Sequence, residues 1–172
     1  MSQHLPGAHH ISDYLLATAK LDYNMNLDQL QLNKLCYLVN GFTLRERDDP
    51  AYYNNVEAWK YGPVVPEVYV MYKIYGDKPI TQLDMCRTSL DNQEDVLSRW
   101  ENLVGIMGTE LASISSGVLK EYGQYTGYEL VSMMHKNKTP WKKVYKPGHN
   151  NIIPTKIIRQ FYKDLDVDDQ GR

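Results

Sequence analysis

The sequence contains little cysteine and none of the short motifs that mark common catalytic sites. Its two cysteines, Cys36 and Cys86, are too few for a disulfide framework or for a structural zinc site, which takes four Cys or His ligands at close spacing. A phosphate-binding glycine loop, a Gly-x-Ser-x-Gly nucleophile motif and a His-Glu-x-x-His metal helix are all absent. We therefore predict two ordinary reduced thiols, no cofactor, no metal and no enzymatic activity.

Long apolar runs and an excess of one charge are also missing. No window approaches the roughly 18 consecutive apolar residues of a membrane span, and the first ten residues, MSQHLPGAHH, do not resemble a signal peptide. The 19 basic and 21 acidic residues give a net charge of −2, which argues against nucleic-acid or anionic-membrane binding by the whole surface. The sequence thus predicts a cytoplasmic protein without a membrane segment.

The adjacent histidines, His9 and His10, are the nearest approach to a metal-binding pair. Neighbouring side chains on an α-helix point about 100° apart, so we expect the two rings to diverge and not to share an ion. Cys36 lies in an apolar, helix-like stretch, where a thiol is usually inert. Surface or capping roles are therefore predicted for the histidines, and a structural role for the thiol.

Hydrophobic periodicity predicts a mainly α fold. The 172 residues fit a single compact multi-helix domain, with a short β-hairpin or small strand pair as an allowed addition, for instance near residues 80–83. We expect a flexible N-terminus over residues 1–9, a helical domain over 10–165 and an acidic tail over 166–172. Apolar spacing and capping residues predict helices at 10–21, 28–44, 64–75, 92–107, 110–122 and 155–165, with further helices opened by Thr126 and Thr139.

Residues 56–76, VEAWKYGPVVPEVYVMYKIYG, concentrate aromatic and turn-forming residues. We predict that Gly62 and Pro63 form a tight turn, that Trp59 fills the core beside it, and that Val65 and Val68 continue this core into the next helix. Trp59, Gly62, Pro63 and, further along the chain, Trp141 are thus assigned to architecture.

Tyrosine is unusually common, with 14 Tyr against two Phe. Its ring tolerates a partly solvent-exposed position, so tyrosine is favoured at protein interfaces. Tyrosines can equally border a small core. Both interpretations stay open for the group that surrounds residues 56–76. The candidate partner-binding residues are Tyr52, Tyr53, Lys60, Tyr61, Tyr69, Tyr72, Lys142, Lys143 and Tyr145.

A basic segment, HKNKTPWKKVYKPGH at residues 135–149, holds five Lys and no acidic residue. Lysines interleaved with Trp141 and Tyr145 are typical of a single-strand nucleic-acid platform, where rings stack on bases. The same composition suits an acidic protein partner. Alternatively, Trp141 and Tyr145 lie one helical turn apart and anchor a helix to the core, while the lysines only solvate its outer face.

Three separated stretches together resemble one known family. They are LQLNKLCYLVNGFTL at residues 30–44, VEAWKYGPVVPEVY at 56–69 and EYGQYTGYELVSMMHKNKTPWKKV at 121–144. The most specific elements are Leu32-Asn33-Lys34-Leu35-Cys36-Tyr37, the Ala-Trp-x-x-Gly-Pro-Val corner at 58–64 and the His-x-x-x-x-Pro-Trp run at 135–141. In this order and spacing they resemble the Panacea domain, also called the SocA-like or phage-associated GepA-like domain, over nearly the whole chain.

The resemblance implies a mostly helical antitoxin of bacterial and phage toxin-antitoxin pairs. Such a protein binds and neutralises a cognate protein toxin, and the SocA type also implies an adaptor that delivers its toxin to the ClpXP protease. Neither mode needs catalysis by this chain. Some family members carry an added N-terminal DNA-binding region, which we do not expect here because about ten residues precede the first predicted helix. A small nucleic-acid-binding regulator that uses residues 135–149 is the alternative function, with nucleic acid the less favoured partner.

Overall fold

The computed structural model describes residues 4–83 and 87–169. Within these ranges the chain forms eight α-helices, one short 3₁₀ helix and five short strands. The helices are α1 (Ala8–Tyr23), α2 (Gln29–Arg47), α3 (Pro66–Tyr72), α4 (Gln93–Met107), α5 (Thr109–Tyr122), α6 (Gly127–Met134), α7 (Pro140–Val144) and α8 (Thr155–Asp169), with the 3₁₀ turn at Lys73–Tyr75 after α3. The strands are β1 (Glu57–Trp59), β2 (Gly62–Val64), β3 (Gln82–Leu83), β4 (Thr88–Ser89) and β5 (Asn151–Ile152). The predicted mainly α class is confirmed.

Helix α2 lies at the centre of the fold. It begins at Asp28, whose carboxylate accepts a hydrogen bond from Gln31 N at 2.8 Å, as the sequence predicts. Every residue from Leu32 to Gly41 is buried, because α1, α3, α5, α6, α8 and β2 pack around the helix. Gly41 gives α8 room to approach, since a Cβ at this position would lie 2.2 Å from the ring of Tyr162.

A buried polar cluster joins α1, α3 and α4. Asp13 of α1 is fully buried and accepts a hydrogen bond from the Tyr72 hydroxyl of α3 at 2.5 Å. Arg99 of α4 places a guanidinium nitrogen 3.8 Å from the same carboxylate. Since a buried carboxylate is costly unless it is paired, these two contacts fix the inner face of α3 against the core.

The strands form a hairpin with one added strand. β1 pairs with β2 in antiparallel register, with Trp59 opposite Gly62, and β5 pairs with the other edge of β1. The turn therefore lies at Lys60 and Tyr61, not at Gly62 and Pro63 as predicted. Gly62 follows the turn with φ +100°, a conformation that favours glycine. The predicted helix at 64–75 is shorter because Val64 belongs to β2 and α3 starts at Pro66.

The remaining predicted elements agree with the structure apart from their ends. Asn92, Thr126 and Thr139 cap α4, α6 and α7 as predicted, and Thr126 with Glu129 forms a complete capping box. β3 lies within the predicted 80–83 strand and pairs with β4. Helix α1 extends into the predicted flexible N-terminus, and α8 extends into the predicted acidic tail. Cys86 lies outside the described residues.

Candidate partner-binding surface

Lys34 connects α2 to the β-hairpin inside the protein. Its side chain is fully buried, and Nζ donates a hydrogen bond to Pro63 O at 2.8 Å. The neighbouring Asn33 forms two hydrogen bonds with the backbone of Val65, the residue that follows β2. Val65 N donates to Asn33 Oδ1 at 2.8 Å, and Asn33 Nδ2 donates to Val65 O at 3.2 Å. Two adjacent residues of α2 thus fix the position of the hairpin's second strand.

Trp141 holds the hairpin from the other side. Its indole Nε1 donates to Trp59 O at 2.7 Å, and its ring stacks on His135 with centroids 3.8 Å apart and planes 5° from parallel. The ring of Tyr145 also stacks on that of Trp141, with the two centroids 4.4 Å apart. Lys34, the hairpin and Trp141 belong to three stretches that are distant in sequence, and they meet at one place in the fold.

The interior of this junction disfavours positive charge. Burial lowers the pKa of Lys34 to about 7. Burial, with Lys34 and Lys142 nearby, also lowers the pKa of His135 below its usual value. His135 Nε2 is buried and has no hydrogen-bond partner among the described residues. The junction is consequently built from nearly neutral, closely packed groups, and its charged neighbours lie at the surface.

The hairpin presents an aromatic surface to solvent. Lys60 and Tyr61 form its exposed tip, with Lys60 Nζ 5.3 Å from the Tyr61 ring centroid. Behind the tip, the half-buried Trp59 ring packs edge-on against Tyr69 of α3 at 5.0 Å between centroids. Two further apolar side chains are exposed nearby in the sequence, Val70 of α3 at 59% and Ile74 of the 3₁₀ turn at 86%.

The lysines of residues 135–149 lie on the segment that contains His135 and Trp141. Lys136, Lys138, Lys142, Lys143 and Lys146 are all exposed. No salt bridge joins any of them to an acidic group in the part of the chain that the structure describes. Their positive charge is therefore available to a partner.

Comparison with known proteins identifies the family. A family model described as "Antitoxin SocA-like, Panacea domain" matches residues 32–142, well over half of the chain. The matched range begins beside Lys34 and ends just after Trp141, the two residues that hold the hairpin. The chain belongs to the SocA-like Panacea domain family. It is also 29% identical over 142 residues to a protein named Antitoxin SocA from Caulobacter vibrioides (strain NA1000 / CB15N), covering 80% of this chain and 71% of that protein. No solved structure matches the chain.

The predicted contact residues of this Panacea domain differ in their exposure to solvent. Lys60, Tyr61, Tyr69, Lys142 and Lys143 are exposed on or beside the hairpin, and Tyr145 is half-buried against Trp141. Tyr53 is also exposed, but its backbone N–H donates to Pro6 O near the start of α1. Whether these residues contact a partner stays a prediction.

Tyr52 and Tyr72 cannot contact a partner in this structure, and their prediction as contact residues is wrong. Both are buried, with 1% and 0% exposure. The Tyr52 hydroxyl donates to Cys36 O at 3.1 Å, and the Tyr72 hydroxyl donates to Asp13. Each buried hydroxyl has an acceptor inside the core, so the ring can be buried without an unsatisfied polar group.

The predicted role of Trp59, unlike that of Trp141, also needs correction. Trp141 is the buried one, at 4% exposure, as an architectural residue should be. Trp59 is only half-buried and does not fill the core, and its indole N–H donates to Glu57 Oε2 at 2.7 Å. Trp59 therefore contributes its backbone carbonyl to the junction and a partly exposed ring to the aromatic surface.

The sequence interpretation missed the residues that organise this junction. Lys34 was included only as part of a family motif, and Asn33 and His135 had no assigned role. A lysine in the middle of the apolar run LQLNKLCYLV is the signal that could have drawn attention to it, because long charged side chains are rarely fully buried without a partner. Val70 of α3 and Ile74 of the following 3₁₀ turn were also missed as exposed apolar residues.

The histidine pair differs from the expectation. His9 and His10 do not diverge, since their rings lie 3.8 Å apart and their Nε2 atoms are 3.1 Å apart. His10 Nδ1 accepts a hydrogen bond from Gly7 N, which turns its ring back over the start of α1. Within residues 4–83 and 87–169 no group of three His, Cys, Asp or Glu residues is placed to hold a metal ion, and no helix is long and apolar enough to cross a membrane.

Proposed function

We propose that this Panacea domain is an antitoxin that neutralises a co-encoded protein toxin by binding it directly. Membership of the SocA-like family and the similarity to a protein named Antitoxin SocA support this function. The observation that carries the proposal is structural. An exposed group of aromatic and lysine side chains lies on a hairpin that α2 and Trp141 hold from two sides.

The proposed contact surface consists of the exposed side chains around the hairpin, which we call the hairpin surface. It comprises Trp59, Lys60, Tyr61, Tyr69, Val70, Ile74, Lys142 and Lys143. Tyr, Trp and positively charged side chains on a rigid support are the composition that dominates the binding energy of protein interfaces. A standard interface of roughly 800 Å² per partner would cover this surface and its border.

The charge of the hairpin surface indicates the kind of toxin face that would bind it. Residues 130–163 contain seven Lys, one Arg and no Asp or Glu, although the whole chain has a net charge of −2. The five exposed lysines at 135–149 lie in this stretch. We therefore infer that the toxin presents an acidic rim around an apolar centre, because complementary charge speeds encounter and selects the partner.

Co-expression tests the function. The product of the adjacent gene is expected to arrest growth when expressed alone and to be tolerated when this chain is expressed with it. A matched control expresses this chain with Lys120→Glu, an exposed substitution outside the hairpin surface that is expected to leave rescue intact. If no neighbouring gene product is toxic, or if toxicity persists with abundant folded antitoxin, the function is wrong.

Two modes of neutralisation are compatible with direct binding. A blocking antitoxin covers the active part of the toxin, whereas an adaptor delivers the toxin to ClpXP, as the family resemblance also implies. We propose direct blocking as the minimal mode, with delivery to ClpXP as an added step. Rescue in cells that lack ClpXP supports blocking, and rescue only in cells that contain it supports delivery.

The nucleic-acid alternative is weakened by the arrangement of the aromatic rings. The rings of Trp141, His135 and Tyr145 stack on one another, and Trp141 is buried. Trp141 is therefore not available to stack on bases, and His135 and Tyr145 each already stack on it, although the exposed lysines could still contact phosphates. Fluorescence anisotropy with single- and double-stranded oligonucleotides at about 50 mM salt tests this alternative, and binding that falls steeply with added salt would support it.

A further inference from the structure

A second surface lies around the ring pair of Phe42 in α2 and Tyr122 in α5. The two ring centroids are 5.8 Å apart, and neither side chain is fully buried. One cleft of about 460 Å³ lies between α2 and α5, and a second of about 270 Å³ lies between α2, α6, α7 and α8. Both clefts are lined by Phe42 and Tyr122, so this pair forms an apolar ridge with a cleft on each side.

The first cleft is open to close approach by another chain. Gly117 lines it at the middle of α5, and a Cβ at this position would meet no atom within 4 Å. Across the ridge, the second cleft includes Met133 and the exposed side chain of Leu165. One side of the ridge therefore has a shallow gap, and the other side has an exposed apolar side chain that could enter such a gap.

The two sides of the ridge carry opposite unpaired charges. Glu46, Glu110 and Glu121 line the first cleft, and Arg45 and Arg47 pair with the first two of these carboxylates. Glu121 forms no salt bridge within the described residues. Lys136 lines the second cleft, where no acidic residue is found among the described lining residues, and it forms no salt bridge to any described residue. Glu121 and Lys136 thus flank the apolar ridge from opposite sides.

We propose that this face binds a second copy of the chain. An isologous interface must be complementary to itself, and an apolar ridge with a negative charge on one side and a positive charge on the other meets this condition. A two-fold axis along the ridge places the first cleft of one copy opposite the second cleft of the other. The Phe42 and Tyr122 rings then pack across the axis, and Glu121 of each copy faces Lys136 of its partner.

The arrangement favours a second copy over a helix from an unrelated protein. A foreign helix would need complementary charges of its own on both sides, whereas a second copy of this chain already carries them. In the symmetric pair, Glu121 of each copy pairs with Lys136 of the other, so two such ion pairs form. Leu165 of one copy lies over Gly117 of the other. The two clefts are lined by residues of α2, α5, α6, α8 and the start of α7, and no residue of the hairpin surface is among them, so that surface is left for another partner.

Sedimentation equilibrium of the full chain between about 1 and 100 µM tests the proposal, because an interface of micromolar affinity changes its population across this range. The expected result is a monomer–dimer equilibrium. Gly117→Lys is expected to abolish the dimer without unfolding the protein, because its side chain extends into the open cleft from a helical position where glycine is unfavourable. Gly117→Ala is the matched control and keeps the dimer.

Charge reversal tests the symmetry. Glu121→Lys and Lys136→Glu are each expected to weaken the dimer roughly tenfold, because each replaces two attractive contacts with two repulsive ones. The double variant restores both contacts with the charges exchanged, and wild-type affinity is expected to return. Far-UV circular dichroism and melting curves confirm that all variants are folded.

Three outcomes would overturn the proposal. The chain could remain a monomer at the highest concentration, or the dimer could persist in Gly117→Lys and thus use another face. The double charge variant could also fail to recover affinity, which would remove the Glu121–Lys136 contact. A monomer that instead binds a designed amphipathic helical peptide at the Phe42–Tyr122 ridge would assign the face to a foreign helix.

Discussion

Lys34 Nζ donates a hydrogen bond to Pro63 O, and this contact joins the centre of α2 to the hairpin that carries the exposed aromatic surface. The lysine is fully buried. A buried ammonium group is costly unless it is well paired, and a single carbonyl is weak compensation. The contact therefore positions the hairpin while making the stability of the domain depend on the protonation of one side chain.

The first prediction is that stability rises with pH between about 7 and 10 because of Lys34. Its pKa is lowered to about 7 in the folded protein, against an ordinary value of 10.5. Below pH 7 both the folded and the unfolded states bind this proton. Above pH 7 the folded state releases it first, so the unfolded state binds more protons and the free energy of unfolding increases by about 1.4 kcal/mol per pH unit.

Urea denaturation at pH 7, 8 and 9 measures this slope, with Lys34→Met as the reference. Methionine keeps much of the aliphatic volume and does not titrate, so the difference between the two proteins isolates the lysine. The upper limit of pH 9 avoids the ionisation of the tyrosines. Equal slopes in wild type and Lys34→Met would show that Lys34 does not titrate in this range.

The second prediction concerns Gly62. Its φ of +100° is unfavourable for other residues, and a Cβ would lie 3.3 Å from Lys34 Cε. Gly62→Ala is expected to lower the free energy of unfolding by about 2 kcal/mol or more, from backbone strain together with displacement of Lys34. Gly148→Ala is the control, since it also has a positive φ but no atom within 4 Å of the new Cβ. The free energy of unfolding is measured by thermal or urea denaturation. An equal decrease for the two variants would mean that the contact with Lys34 causes no additional destabilisation.

The third prediction compares the two tryptophans of the junction. Trp141→Ala removes a buried ring and its hydrogen bond to Trp59 O, so we expect a loss of about 3–5 kcal/mol in unfolding free energy. Trp59→Ala removes a half-buried ring and leaves its backbone carbonyl in place, so the loss should be smaller. Urea denaturation at fixed pH compares them directly. A larger loss for Trp59→Ala would restore the original sequence interpretation, in which Trp59 fills the core.

Local signals explain which parts of the fold the sequence predicted well. Asp28, Asn92, Thr126 and Thr139 cap helices as expected, because a cap depends on residues within one turn. The hairpin at 57–64 was not located because its strands have only three residues each. At that length, Val64, Val65 and Val68 fit helical spacing as well as they fit a strand followed by a helix.

The site was harder to predict because distant contacts decide it. Lys34 lies 29 positions from its acceptor Pro63, and Trp141 lies 82 positions from Trp59. The burial of Tyr72 likewise depends on Asp13, which is 59 positions away. No local pattern distinguishes a tyrosine with a buried acceptor from one that faces solvent. The sequence named Tyr61 and Tyr69 among its candidates, but the structure was needed to separate these exposed rings from the buried Tyr52 and Tyr72.

The last prediction separates the hairpin surface from its support. Tyr61→Ala combined with Lys142→Glu and Lys143→Glu is expected to reduce toxin neutralisation strongly, because it removes an exposed ring and reverses two charges that no salt bridge compensates. The melting temperature should change little, since surface substitutions away from caps and buried networks usually alter stability by about 0.5 kcal/mol or less. Lys120→Glu combined with Lys156→Glu is the control for the change in net charge, because both lysines are exposed and lie outside residues 135–149. The measurements are survival during co-expression with the toxin and the melting temperature of each purified variant. Full neutralisation by the triple variant would place the toxin contact elsewhere on the domain, whereas a lowered melting temperature would mean that these side chains support the fold.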